Sequence, residues 1–135
     1  MKKLIVLVVA ALFTLMCSGC SLLSEERVKL RDLDFTVLAE EKIPEELLSI
    51  INEKKAEPFK LTYSDQNFLY ICIGYGEQST GGYSIAVNEL YETDSAIYVN
   101  TELLGPSPEE KNNPTPSYPY IVLKTEYLDQ TVIFE

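Results

Sequence analysis

The sequence contains no histidine and no tryptophan. Without histidine there is no usual general base near neutral pH, no Ser-His-Asp or Cys-His arrangement, and none of the commonest zinc ligand. The acidic pairs Glu40-Glu41, Glu45-Glu46 and Glu109-Glu110 do not substitute for it. Adjacent residues on a helix or strand point apart, so none of the three carboxylate pairs converges on one atom. No loop carries the alternating oxygens and fixed glycine of a calcium site. Gly74, Gly76, Gly81 and Gly82 precede neither a helix nor a Lys-Ser/Thr pair, which rules out a P-loop and a dinucleotide fingerprint. These absences point away from an enzyme and call for no metal and no cofactor.

Positive charge is also scarce. Lys and Arg number 11 against 21 Asp and Glu, for a net charge of −10. The cations are scattered, and beyond the amino terminus only Lys54-Lys55 are neighbours. Nucleic acid is therefore excluded as a partner, because binding phosphates needs clustered cations. Anionic lipid headgroups would repel the folded part. The acidic surplus reads most simply as solubility at a crowded surface.

The amino terminus has a three-part pattern. Lys2-Lys3 is followed by an apolar run from Leu4 to Met16, then by Ser18-Gly19-Cys20. The run has signal-peptide length and is too short to read as a span. The ending resembles a bacterial lipobox, in which cleavage precedes a cysteine carrying a diacylglyceryl group. Cys17 stands where leucine is usual. Cys20 is the better lipidation site, since Met16 before Cys17 is too large for the cut. An ordinary secretory signal or an amino-terminal anchor is the plainer alternative. With residues 1–19 removed, the loss of Lys2 and Lys3 takes the net charge from −10 to −12. Cys20 then becomes the anchor, and the expected address is the extracytoplasmic face of a bacterial cell membrane. Cys72 is left alone, so no intramolecular disulfide can form. Flanked by Ile71 and Ile73, it reads as a small buried hydrophobe.

Residues 20–32 read as a lipidated cysteine and tether, and 33–135 as one β-rich domain. Leu33 to Leu38 is a first strand, with Leu33, Phe35 and Val37 on one face. Ile43 to Lys55 is the one clear helix: Pro44 suits its first position, Glu45 and Glu46 its positive end, and Lys54 and Lys55 its negative end. Its apolar stripe of Leu47, Leu48 and Ile51 should lie against a sheet. Phe59 to Tyr63 is a strand, and Ser64-Asp65-Gln66-Asn67 a turn. Phe68 to Tyr75 is apolar on both faces, as in a strand covered on both sides. Tyr83 to Tyr91 alternates, with Tyr83, Ile85, Val87 and Tyr91 together, and Ile97 to Leu104 follows. Short connections between these three runs predict an antiparallel meander, with Thr80-Gly81-Gly82-Tyr83 as its sharpest turn. Gly81 and Gly82 are both expected to serve a backbone with positive φ. Gly105 to Tyr118, with four prolines, is a long loop of the kind that is often functional. Pro119 to Lys124 and Thr131 to Phe134 are the last strands.

From Gly74 through Gly76, Ser79-Thr80-Gly81-Gly82-Tyr83-Ser84-Ile85, and Ser117-Tyr118-Pro119-Tyr120 followed by Ile121-Val122-Leu123-Lys124, the chain resembles the carboxyl-terminal domain of PrcB-type protease-complex subunits. The resemblance covers residues 68–124. It implies a lipid-anchored or secreted accessory subunit that associates with a surface protease and stabilises its complex without catalysis. The candidate contact residues are Gln78, Ser79, Thr80, Gly81, Gly82, Tyr83, Tyr118 and Tyr120.

The expected fold is mainly β with one α-helix (α+β), an antiparallel sheet closing as a small barrel or stacking as a sandwich. The expected function is a membrane-anchored, non-enzymatic binding module. Its partners are the lipid bilayer, through Cys20, and a secreted or surface protease. Two alternatives stay open: a protease inhibitor presenting the Thr-Gly-Gly-Tyr turn, and a binder of a small ligand or envelope polymer.

Overall fold

The computed structural model describes residues 28–109 and 114–135. The leader, Cys20 and the first part of the tether lie outside the described residues, as do 110–113 of the long loop. Among the described residues no helix is long and apolar enough to cross a membrane.

Among the described residues, eight strands, a 3-10 turn at Glu40–Lys42 and one helix follow in order: β1 (Arg31–Asp32), β2 (Thr36–Val37), α1 (Glu45–Lys54), β3 (Pro58–Ser64), β4 (Phe68–Tyr75), β5 (Ser84–Glu92), β6 (Ala96–Leu104), β7 (Tyr120–Glu126) and β8 (Thr131–Phe134). They make two four-stranded sheets, β1-β5-β6-β8 and β2-β7-β4-β3. The described strands therefore form two sheets and no closed barrel. Every pairing is antiparallel except β6 with β8, which is parallel.

The double apolar face of β4 explains the layering. Leu69, Ile71 and Ile73 join Ile121 and Leu123 of β7 and meet Leu90, Ile97 and Val99 of the other sheet in one buried cluster. Tyr70 and Cys72 point the other way, with Val122, against Ile43, Leu47 and Ile51 of the helical segment. Leu47, Ile51, Ile71, Cys72 and Leu123 have no exposed surface. Burying a side chain of that size contributes roughly 1.5–3 kcal/mol. The expected helix forms over Glu45–Lys54, shorter than Ile43–Lys55, with Pro44 at its N-cap in place of its first turn and its Leu47/Ile51 stripe on the sheet. Burial of Cys72 pushes its thiol up to about 12, so it is protonated at any physiological pH.

The expected meander does not form. β4 is paired on both edges, by β3 and β7, and leaves no place for β5. The run from Gly76 to Tyr83 instead carries the chain from one sheet to the other. Only β5 and β6 form the hairpin foreseen.

A second departure lies within β5. A bulge between Val87 and Glu89 shifts the register, and Asn88 reaches across to Asn100 (Nδ2 to Oδ1, 2.8 Å). One extra residue reverses the side-chain alternation. Leu90 consequently joins Ile85 and Val87 on the inner face, while Tyr91 turns to the opposite face, where it is buried with Ala96 and stacks on Tyr98 at 5.3 Å. The first strand also differs: Leu33 is buried, but Phe35 and Val37, expected on its face, are 40% and 53% exposed. Arg31–Asp32, at the end of the tether, already pair with β5.

The strands give the domain two ends. Phe68, Glu92, Ala96 and Glu126 stand at one, which also receives the chain from the amino terminus. Tyr75, Ser84, Leu104 and Tyr120 stand at the other. Eight or nine strand residues separate the ends by about 25 Å. At the first end Arg31 pairs with Glu92 (2.9 Å) and Glu126 (2.6 Å), tying the two sheets together.

Gly74 lies opposite Phe59, and a Cβ there would collide with the Phe59 ring. Gly74→Ala should cost about 1–3 kcal/mol by overpacking, read as a lower midpoint in urea unfolding. Cys72 should resist a disulfide-type thiol reagent in buffer and react fully once the chain is unfolded in denaturant.

Candidate functional site

The far end of the domain is built from two segments distant in sequence. Gly76, at φ 76°, turns the chain out of β4, and its backbone passes so near Pro58 that a Cβ would stand 2.9 Å from Pro58 Cδ. Glu77 then donates its N–H to the Ala56 carbonyl (3.2 Å). Gln78 and Ser117 form an isolated antiparallel bridge through both peptide groups, at 2.8 and 3.0 Å. The Ser117 hydroxyl donates to the Thr80 carbonyl at 2.6 Å. Below the bridge the Tyr75 N–H donates to the Pro119 carbonyl (3.0 Å). The crossover and the end of the proline-rich loop are thus joined into one surface.

The eight sequence-derived residues divide on this surface. Gln78, Ser79, Thr80, Gly81, Gly82, Tyr83 and Tyr118 are brought together. Ser79 and Gly82 are exposed, and Tyr118 is 38% exposed. The Gln78 side chain is committed inward, donating from Nε2 to the Tyr75 carbonyl at 3.2 Å. Tyr120 does not belong to the surface. It packs with the helix-side cluster, where burial, then Glu40 and Cys72, push its hydroxyl above the ordinary tyrosine range. The glycines are also corrected. Gly82 takes a positive φ of 83°, while the second such glycine is Gly76 and not Gly81. A Cβ at Gly81 would meet nothing within 4 Å.

Three charged or polar neighbours escaped the sequence reading. The Lys55 ammonium lies 5.7 Å from the centre of the Tyr118 ring. Glu77 accepts from the Tyr118 hydroxyl at 3.4 Å. Thr101 shares a 2.7 Å hydrogen bond with the Tyr75 hydroxyl. Lys55 showed itself only as a helix-end charge, and nothing in its spacing linked it to a residue 63 positions on. Beside this surface opens a groove of about 490 Å³ between Pro58, Phe59, Gly74, Tyr75 and Thr101.

Among the described residues no three Cys, Asp or Glu side chains gather as a metal site. The groups presented are an aromatic ring, a hydroxyl, a carboxylate, the ammonium of half-buried Lys55 and the exposed Gly82. Together they suit contact with a polypeptide.

Gly81→Ala should leave stability within about 0.5 kcal/mol of the parent, whereas Gly82→Ala should cost about 1–2 kcal/mol for its left-handed backbone. Ser117→Ala should cost about 0.5–1.5 kcal/mol and speed amide exchange in residues 78–82. Thermal and urea melts of the three variants, with exchange measured on the last, check this.

No curated protein and no solved structure matches the chain. Residues 69–126, from β4 to the end of β7, match the family model described as PrcB C-terminal, and the two central strands of each sheet are similar to that domain.

Proposed function

We propose that the protein is a lipid-anchored, extracytoplasmic accessory subunit that binds a surface protease and stabilises its complex without catalysing a reaction. The observation that carries this reading is the opposition of the two ends. A sandwich-like frame receives its tether at the Arg31–Glu92–Glu126 end and presents Ser79, Gly82 and Tyr118 about 25 Å away. An anchor at Cys20 would then hold the contact surface away from the bilayer, where a partner protein can reach it. The family match over 69–126 includes both the crossover and Tyr118, which supports the same assignment. Two or three acyl chains on Cys20 would hold the subunit stably, at about 0.8 kcal/mol per buried methylene.

The groove of about 490 Å³ favours a second reading, a small-ligand or envelope-polymer binder. It has the volume and the aromatic lining of such sites. Cell-wall fragments that bind the folded state alone would raise the melting temperature, and absence of any shift removes this reading.

For the main reading, a photo-crosslinker placed at Ser79 in intact cells should capture a secreted or membrane protease. The same group at Ser49, exposed on α1, should not. Tyr118→Ala should weaken capture by about tenfold or more with the domain still folded. A membrane pull-down that returns no specific companion would sink the proposal.

A further inference from the structure

Nine large hydrophobic residues are exposed among the described residues, and they are unevenly placed. Leu104 and Tyr118 stand at the far end and Ile133 on β8 at one side. Val37, at 53%, lies opposite Leu123 halfway along β7, and the other five gather at or beside the end that receives the tether: Val28 at 69%, Leu30 at 59%, Phe35 at 40%, Phe68 at 38% and Tyr127 at 45% exposed. They are physically linked. Leu30 donates its N–H to Glu92, and Tyr127 donates to Asn67, next to Phe68. Phe35 and Phe68 line one groove of about 350 Å³ with Lys124 and Glu126.

We infer that this end is a bilayer-contacting face: Phe35, Phe68 and Tyr127, with Val28 and Leu30, rest in the headgroup region of the membrane that holds the Cys20 lipid. The inference rests on the anchoring proposed above and goes beyond it, since an anchor alone would let the domain tumble on its tether.

Three observations fix the occupant. First, Val28 is eight residues after Cys20, so even a fully extended connection keeps this end within about 28 Å of the lipidated cysteine. Second, the side chains are those of an interfacial contact, aliphatic groups with Phe and Tyr, and not of a core. Third, the cations here are already paired. Lys29 meets Asp32 at 3.0 Å, Arg31 meets Glu92 and Glu126, and Lys124 lies over the Phe68 ring at 3.9 Å. Lys29 and Arg31, matched by these carboxylates, lose less on leaving bulk water than free cations would. The same pairing, with the acidic surplus of the whole chain, favours a zwitterionic surface over an anionic one.

The absence of tryptophan provides the test. Phe68→Trp and, at the opposite end, Leu104→Trp each give the full lipidated protein a single indole. Both variants are reconstituted into phosphatidylcholine vesicles carrying bromine on the upper acyl chain, with folding checked by circular dichroism. Contact at the depth of an interfacial side chain should lower Phe68→Trp emission about twofold and leave Leu104→Trp unchanged. If the protein floats with the vesicles and carries the diacylglyceryl mass, but neither indole is quenched or both are quenched alike, the face is refuted and the anchor stands. If Cys20 bears no lipid and the protein does not float, both readings fall together.

Discussion

The structure depends on β4 being covered on both faces. A strand apolar on one side needs one partner layer, whereas Phe68–Tyr75 needs two. One layer is the sheet of β5 and β6, which meets Leu69, Ile71 and Ile73. The other is the helical segment, whose Ile43, Leu47 and Ile51 meet Tyr70 and Cys72. Once both are in place, β4 has no free edge, because β3 and β7 hold it. The segment that follows must then leave the sheet, and the crossover that results becomes the candidate contact surface. The glycines of β4 serve the same arrangement: Gly74 makes room for the Phe59 ring, and Gly76 starts the exit past Pro58.

Much of this was legible in the sequence. The helix, the β5–β6 hairpin, the double-faced character of β4 and the buried state of Cys72 followed from periodicity and composition. The partner of β4 did not. Periodicity says which faces are apolar, but an eight-residue connection rich in glycine serves a wide turn and a sheet crossover equally well. Asn88 was missed for a related reason. A bulge inserts one residue into a period of two, and the alternation read across it put Tyr91 on the inner face in place of Leu90.

The candidate surface was half legible. The glycine pattern and the Pro-Tyr strand start marked two segments, and the backbone bridge between Gln78 and Ser117 joins them as one. Which side chains face outward could not be read from spacing. Gln78 is tied to Tyr75 and Tyr120 is packed under the helix, while Lys55 and Glu77 enter only because the fold brings them beside Tyr118. The matched region, 69–126, supplies the two central strands of each sheet. β1, β2, α1, β3 and β8 are added around that centre, as edges and a covering layer.

The amino-terminal segment contributes β1 to one sheet and, four residues later, β2 to the other. That lacing has a mechanical consequence. A pull on the chain from its amino terminus, resisted at the far end, loads both sheets at once. β1 runs alongside β5 and β2 alongside β7, so the load lies along the strands and their ladder bonds are strained together. Bonds loaded in shear share the force, whereas bonds loaded in an unzipping direction break one at a time. Leu33, buried between the two short strands, and Arg31, paired into both sheets, act as pins at the loaded end. A load applied from the amino-terminal side is thereby borne by the frame and not by a single peeling edge.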